Sequence, residues 1–340
     1  AAINIIREAT YSFSQSSIQS NRTIDENFIY EGSFQPIADD PFWLGHLRKF
    51  QVNEDGSVGA ALWDAGEVLK NTAASGRNIK TLKAGSLVDF NTAAITKEDL
   101  AVATDADRDM VVGYIRGDAA YNPDNWKLGD VFRSTPITVG TPSIYYEDNR
   151  DSSSPTAFKQ HRDGHPRTSA NGLRVVTVGA NDGQLHAFKT SDGSEAWSFI
   201  APNLLPRLRL IAHTTHPTAL NHTYFVDGPV TVADVWIPAA ASNGLTKSAS
   251  DWHTLLVFGE GRGATSGTNP NLWSSSQYCD TGFSAMYSSS NSYYCGYYAL
   301  DLTSSLAPTF KWRLGLSAAE SPYMGAPWSR MLTGRVRLNG

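Results

Sequence analysis

Residues 173–199 read LRVVTVGANDGQLHAFKTSDGSEAWSF, three short apolar runs separated by Asn181-Asp182-Gly183 and by Ser191-Asp192-Gly193. Runs rich in β-branched and aromatic residues, bounded by Asn, Asp and Gly, predict three antiparallel strands with tight turns. The order returns at 253–314: HTLLVFGEG, an insertion, then YYALDLTSSLAPTFKWRL, with Trp312 placed as Trp197 is in the first copy. A Pro-led segment precedes each copy, FRSTPITVG at 132–140 and VDGPVTVADVW at 226–236, and a third, MGAPWSRMLTG, lies at 324–334. Thr135-Pro136, Gly228-Pro229 and Ala326-Pro327 thus mark equivalent strand entries, where a missing N–H costs no ladder bond.

Four strands per repeat, with an aromatic near the end of the last, is the pattern of a β-propeller blade, which buries its faces only against neighbouring blades. The expected fold is all-β, a β-propeller with quinoprotein-like blades, incomplete in this chain and carrying long inserted loops at about 147–172 and 259–296. Upstream, Leu44, Leu47, Phe50 and Val52 lead into Asn53-Glu54-Asp55-Gly56, after which Val58, Ala60 and Leu62 alternate, a hairpin pattern. Residues 96–116 read as a helix on the rim. Residues 1–41 are polar and irregular and are expected to form a linker or wrapping arm, leaving 42–340 as the partial propeller domain. About two blades, a hairpin and one further strand can be counted, so the chain reads as the front portion of a longer protein or as a fragment whose remaining blades come from elsewhere.

Composition sharpens this picture. The 340 residues carry 28 Lys+Arg against 33 Asp+Glu, a net charge of −5, so no basic excess points to nucleic acid. No apolar run reaches the ~18 residues of a membrane span. The charged share of 18% is low, and Ser, Thr, Asn and Gly make up the polar balance, as in exported β proteins. In that context Cys279 and Cys295 are expected to form a local disulfide, the alternative being two free thiols in a reducing compartment. The chain opens Ala1-Ala2-Ile3 without a signal-peptide pattern, so export is inferred with any leader already removed or not included.

The ordered set LGDVFRSTPITVG, VTVGANDGQLHAF, YFVDGPV and YYALDLT, preceded by GHLRKFQVNEDGSVGAALWDAG, resembles the PilC/PilY family of type IV pilus tip-associated proteins. The strongest pieces are Leu128-Gly129-Asp130, the run from Gly179 to Gly183 with His186-Ala187-Phe188, and Val226-Asp227-Gly228. The resemblance implies a modified propeller in a secreted protein at the cell surface, located at the pilus tip and exported through the periplasm. It further implies minor pilins and a host or abiotic surface as partners, and roles in pilus assembly, adhesion and twitching motility. The family's calcium loop has no clear counterpart here, so no cofactor is expected in this chain, and any calcium would sit in the remaining part of the propeller.

Other chemistry reads weakly. Asp105, Asp107 and Asp109 share the front spacing of a calcium loop, but Met110 and Arg116 stand where Gly and Glu are required, so a helix N-terminus explains them better. His161 and His165, or His213, His216 and His222, lack the further ligands of a zinc site. Arg116-Gly117-Asp118 is read as structural. The blades are also similar to those of quinoprotein dehydrogenases, yet no catalytic motif accompanies them. The chain is therefore read as non-enzymatic, a periplasmic quinoprotein-type dehydrogenase and a propeller scaffold for envelope assembly being the alternatives. Trp273, Tyr278, Tyr287, Tyr293 and Tyr294 in the second inserted loop are the candidate binding residues, since aromatic rings give large contact area at low entropic cost. Packing of the same rings onto the blade is the competing reading.

Overall fold

A computed structural model describes residues 12–13, 17–18, 27–38, 40–213, 222–238, 245–264, 297–314 and 327–334. They are mostly β, in three sheets. In the first sheet, β1 (Ser12–Phe13) and β2 (Ser17–Ile18) both pair with β3 (Phe28–Gln35), which pairs antiparallel with β4 (Leu44–Val52), followed by β5 (Val58–Asp64). The expected hairpin is thus β4 and β5. The expected arm is corrected over 28–35: β3 pairs with β4 along its full length and buries Tyr30 and Phe34. Its alternation of Ile29, Glu31 and Ser33 with aromatic Phe28, Tyr30 and Phe34 is period-2 patterning hidden by the polar residues before it.

The second and third sheets are the two predicted repeats. In the second, β8 (Ile137–Val139), β9 (Val175–Gly179), β10 (Gln184–Lys189) and β11 (Glu195–Ile200) run antiparallel in sequence order. In the third, β12 (Val230–Trp236), β13 (Trp252–Gly259), β14 (Tyr297–Asp301) and β15 (Thr309–Leu314) do the same. Strand β9, VVTVG, is buried along its whole length, as a strand covered on both faces must be. Two further strands extend the second sheet: β6 (Ile79–Lys83) adds parallel to β11, and β7 (Ser86–Asp89) pairs with β6. Among the described residues the sheets do not close into a ring.

One apolar core joins the second and third sheets. Phe199, Phe258 and Tyr298 lie with ring centroids 5.6–6.1 Å apart. The fully buried Trp197 indole donates to the Ser305 carbonyl at 2.8 Å, tying the last strand of one repeat to the loop of the next. A second cluster seats Tyr30 and Leu47 of the first sheet on Val176, Val178 and Phe188 of the second.

Among the described residues three α-helices decorate the sheets: α1 (Ala65–Lys70), α2 (Asp105–Arg116) and α3 (Ala157–Gly164). The rim helix expected in 96–116 is α2, and α3 lies in the first inserted loop. Thr104 caps α2 in a reciprocal box with Asp107, while Asp105 and Asp109 both pair with Arg108. The three aspartates therefore serve the positive end of the helix and their neighbours. At the other end Arg116 donates to the carbonyls of Phe90, Ala74 and Arg77, and Gly117 supplies the left-handed cap at φ 81°. The Arg116-Gly117-Asp118 tripeptide is thus a helix terminus. Of the third Pro-led segment, 327–334 contains no strand among the described residues, and the Pro327 carbonyl instead accepts from Gly261 N.

Candidate functional site

The motif residues build a buried polar seam between the sheets. Asp182, in the turn before β10, accepts from Gly129 N at 2.8 Å and faces His186 Nε2 at 2.9 Å. Glu195 faces the other ring nitrogen of His186 at 2.8 Å. Arg77 then holds both Glu195 oxygens at 2.8 Å and reaches the Ile115 carbonyl and Gln184. A second branch runs from Asn181 to Asp130 at 2.7 Å and on to His222 at 2.7 Å, whose ring stacks on Trp43. Asn181 also accepts from Phe225 N, fixing the entry to the third sheet. Gly129 is required here, because a Cβ at that position would stand 2.4 Å from Asp182 N.

Burial by itself pulls the His186 imidazole down, but the Asp182 carboxylate, then Glu195, outweigh it and hold the ring at about 9. Burial likewise pushes Glu195 up, and the Arg77 guanidinium overcomes it, bringing the carboxyl to about 2. With both carboxylates facing it, His186 is a doubly protonated donor. Nearby, Glu260 is wholly buried; burial dominates and raises its carboxyl to about 8 despite the Asn203 amide at 2.7 Å and Arg207. Both raised groups bind protons that the unfolded chain has already released, so folding stability falls as pH rises. The Glu260 contribution is lost between the ordinary carboxylate range and about pH 8, and that of His186 between about 6.5 and 9. Denaturation midpoints should therefore drop from pH 6.5 to pH 9. Glu260→Gln should recover only the part complete by pH 8, and a midpoint flat across this interval would contradict the protonation states assigned here.

An open cleft of about 420 Å³ lies at the entries of the Pro-led segments. The first entry contributes Arg133 and Thr135, the second Asp227 and Gly228, and the segment after Pro327 contributes Trp328 and Arg330. Gly261 and Arg262, just past β13, complete the wall. Gly228 allows the second entry to pass directly over the Gly259 carbonyl, which a Cβ would meet at 2.1 Å. Arg133 pairs with the buried Asp227 at 3.1 Å and lies over the rings of Phe132, Trp328 and Tyr224. Arg262 lies over the Tyr224 ring at 4.3 Å. Burial is the main influence on Asp227 and raises its carboxyl to about 6, opposed by Arg133. With three arginines against one carboxylate, the cleft is an anion-attracting site in a chain of net negative charge.

The type IV pilus biogenesis factor PilY1 of Pseudomonas aeruginosa strain PAK is 29% identical over 269 residues, covering 71% of this chain and 21% of that protein. PilY1 of strain UCBPP-PA14 is 29% identical over 275 residues, covering 73% of the chain and 22% of the relative. A PilY1 homolog of Xylella fastidiosa is 29% identical over 232 residues, covering 65% and 17%. Over about 70% of its length the chain is thus similar to curated type IV pilus biogenesis factors named PilY1. The chain spans about a fifth of the length of the curated relatives it matches. No family model matches it, and no solved structure does.

The motifs that carry the family resemblance contribute to the seam: Asp130, Asn181, Asp182 and His186 bond one another or their neighbours, and Asp227-Gly228 opens into the cleft. Trp273, Tyr278, Tyr287, Tyr293 and Tyr294, and the Cys279–Cys295 pairing, lie outside the described residues. Of the second inserted loop, 260–264 is described and is largely packed beneath the strand entry. The His161 and His165 rings lie 4.6 Å apart and tilted by 43°, and among the described residues no three His, Cys, Asp or Glu converge as metal ligands. No helix among them is long and apolar enough to cross a membrane. The arginine cleft was not anticipated from sequence. Its signal was the spacing of Arg133, three before Pro136, and Arg330, three after Pro327.

Proposed function

We propose that this chain is part of a non-catalytic type IV pilus-associated tip protein that supports pilus assembly, surface adhesion and twitching motility. The observation that carries this reading is the similarity to PilY1 over 71% of the chain. The tip position, the minor pilins as partners and contact with a host or abiotic surface follow from the family resemblance. In this reading no cofactor belongs to these residues, and Trp273, Tyr278, Tyr287, Tyr293 and Tyr294 supply the surface contact.

Deletion of the encoding gene, followed by complementation, tests the proposal. The deletion should reduce sheared pili and abolish twitching zones, and the intact gene should restore both. A Trp273→Ala/Tyr287→Ala copy should restore pili while leaving attachment weak. Normal piliation and motility in the deletion strain, with loss of dye-linked alcohol oxidation in the presence of quinone and calcium, would replace the proposal with the quinoprotein reading.

A further inference from the structure

The three arginines of the strand-entry cleft differ in what they bond. Arg133 is paired with Asp227. Arg330 has one long contact, 3.5 Å from the Val230 carbonyl. Arg262 is half-buried against Tyr224 and has neither a hydrogen bond nor an ion pair among the described residues. A guanidinium that has lost part of its hydration without gaining an acceptor is poised for an anion. The Tyr224 ring covers one face of the Arg262 guanidinium and leaves its N–H groups for an acceptor. Trp328, 45% exposed, borders the same opening and supplies an apolar cover at its mouth.

We propose that this cleft binds a carboxylate of an acidic peptide, held by Arg262 and Arg330, with Arg133 alongside and Trp328 over the aliphatic stem. The lining decides among anions. An acidic sugar presents hydroxyls that need acceptors, whereas the side chains here are donors except for Thr135 and Asp227, and Asp227 is already engaged by Arg133. A phosphate dianion would sit beside the buried Asp227 carboxylate and meet its repulsion, while the single charge of a carboxylate matches the planar forks. The proposal concerns this chain's own chemistry and is independent of where on the cell the protein acts.

The test is fluorescence anisotropy with a labelled peptide of alternating Gly and Glu against its Gly/Gln counterpart, using the whole chain at low salt. The Glu peptide should bind at least about tenfold more tightly, one charge-assisted contact being of that order. Affinity should weaken with added salt as the charges are screened. Arg262→Ala and Arg330→Ala should each weaken binding by about tenfold with unchanged circular dichroism, while Arg150→Ala on an exposed loop should leave it unaltered. Arg330 is exposed, so its variant carries the test even if Arg262→Ala perturbs folding. Equal binding of the Gln peptide, or unchanged affinity in the Arg330→Ala variant, would overturn the proposal. Tighter competition by glucuronate or inorganic phosphate than by glutamate-containing peptide would overturn the assignment to a peptide carboxylate.

Discussion

Arg77→Ala should cost about 3–5 kcal/mol of folding stability, the range for removing one partner of a buried ion pair. The Arg77 side chain has no exposed surface and that of Glu195 only 2%. Arg77 grips both Glu195 oxygens, the Ile115 carbonyl at the end of α2, and Gln184 on β10. It therefore fastens the approach to β6, the rim helix and two strands of the second sheet at one point. Its loss strands an ionised carboxylate whose low pKa depends on it, and leaves His186 as its hydrogen-bonded cation. Urea unfolding followed by tryptophan fluorescence measures the effect. The double variant Arg77→Met/Glu195→Gln should be less damaged than Arg77→Ala, because no buried charge is left alone. A loss below ~1 kcal/mol, as for an exposed pair, would show that the seam is solvated.

Gly129→Ala should be nearly as severe, about 3 kcal/mol, the upper part of the range for overpacking. The added methyl would meet backbone: Asp182 N at 2.4 Å and Asn181 C at 2.9 Å. On the other side Gly45 already takes the Gly129 carbonyl where its own Cβ would be, 1.8 Å away. Neither neighbour is a flexible side chain, so the crossing of the first and second sheets must open. Opening draws Asp182 away from His186, and the imidazole should titrate well below its present value of about 9. Thermal unfolding gives the stability, and imidazole resonances in a pH titration give the second readout. A stable variant with an unshifted His186 would show that this crossing tolerates a side chain.

The two four-stranded repeats were legible because each strand is bounded by its own turn residues and its pattern has a short period. Asn181-Asp182-Gly183 and Ser191-Asp192-Gly193 mark β9, β10 and β11 without reference to anything distant. Strand β6 was not legible, since Ile79–Lys83 finds its parallel partner β11 more than a hundred residues later, and nothing local announces such a pairing. Strand β3 was missed because polar sequence around it masked an alternating stretch that is buried only once β4 and the second sheet are in place. The same limit applies to the cleft. Arg133, Arg262 and Arg330 are scattered singly through the sequence, and only the convergence of the strand entries gathers their charge. By contrast, the residues that carried the family resemblance were easy to find, and they form the seam and the entry to the third sheet.

Location tests the functional account most directly. Immunogold electron microscopy with antibody to this chain, on intact cells and sheared pili, should place label at filament tips and lose it in a mutant lacking minor pilins. Label confined to the periplasm of sectioned cells would contradict a pilus-tip role and favour an envelope scaffold or a quinoprotein.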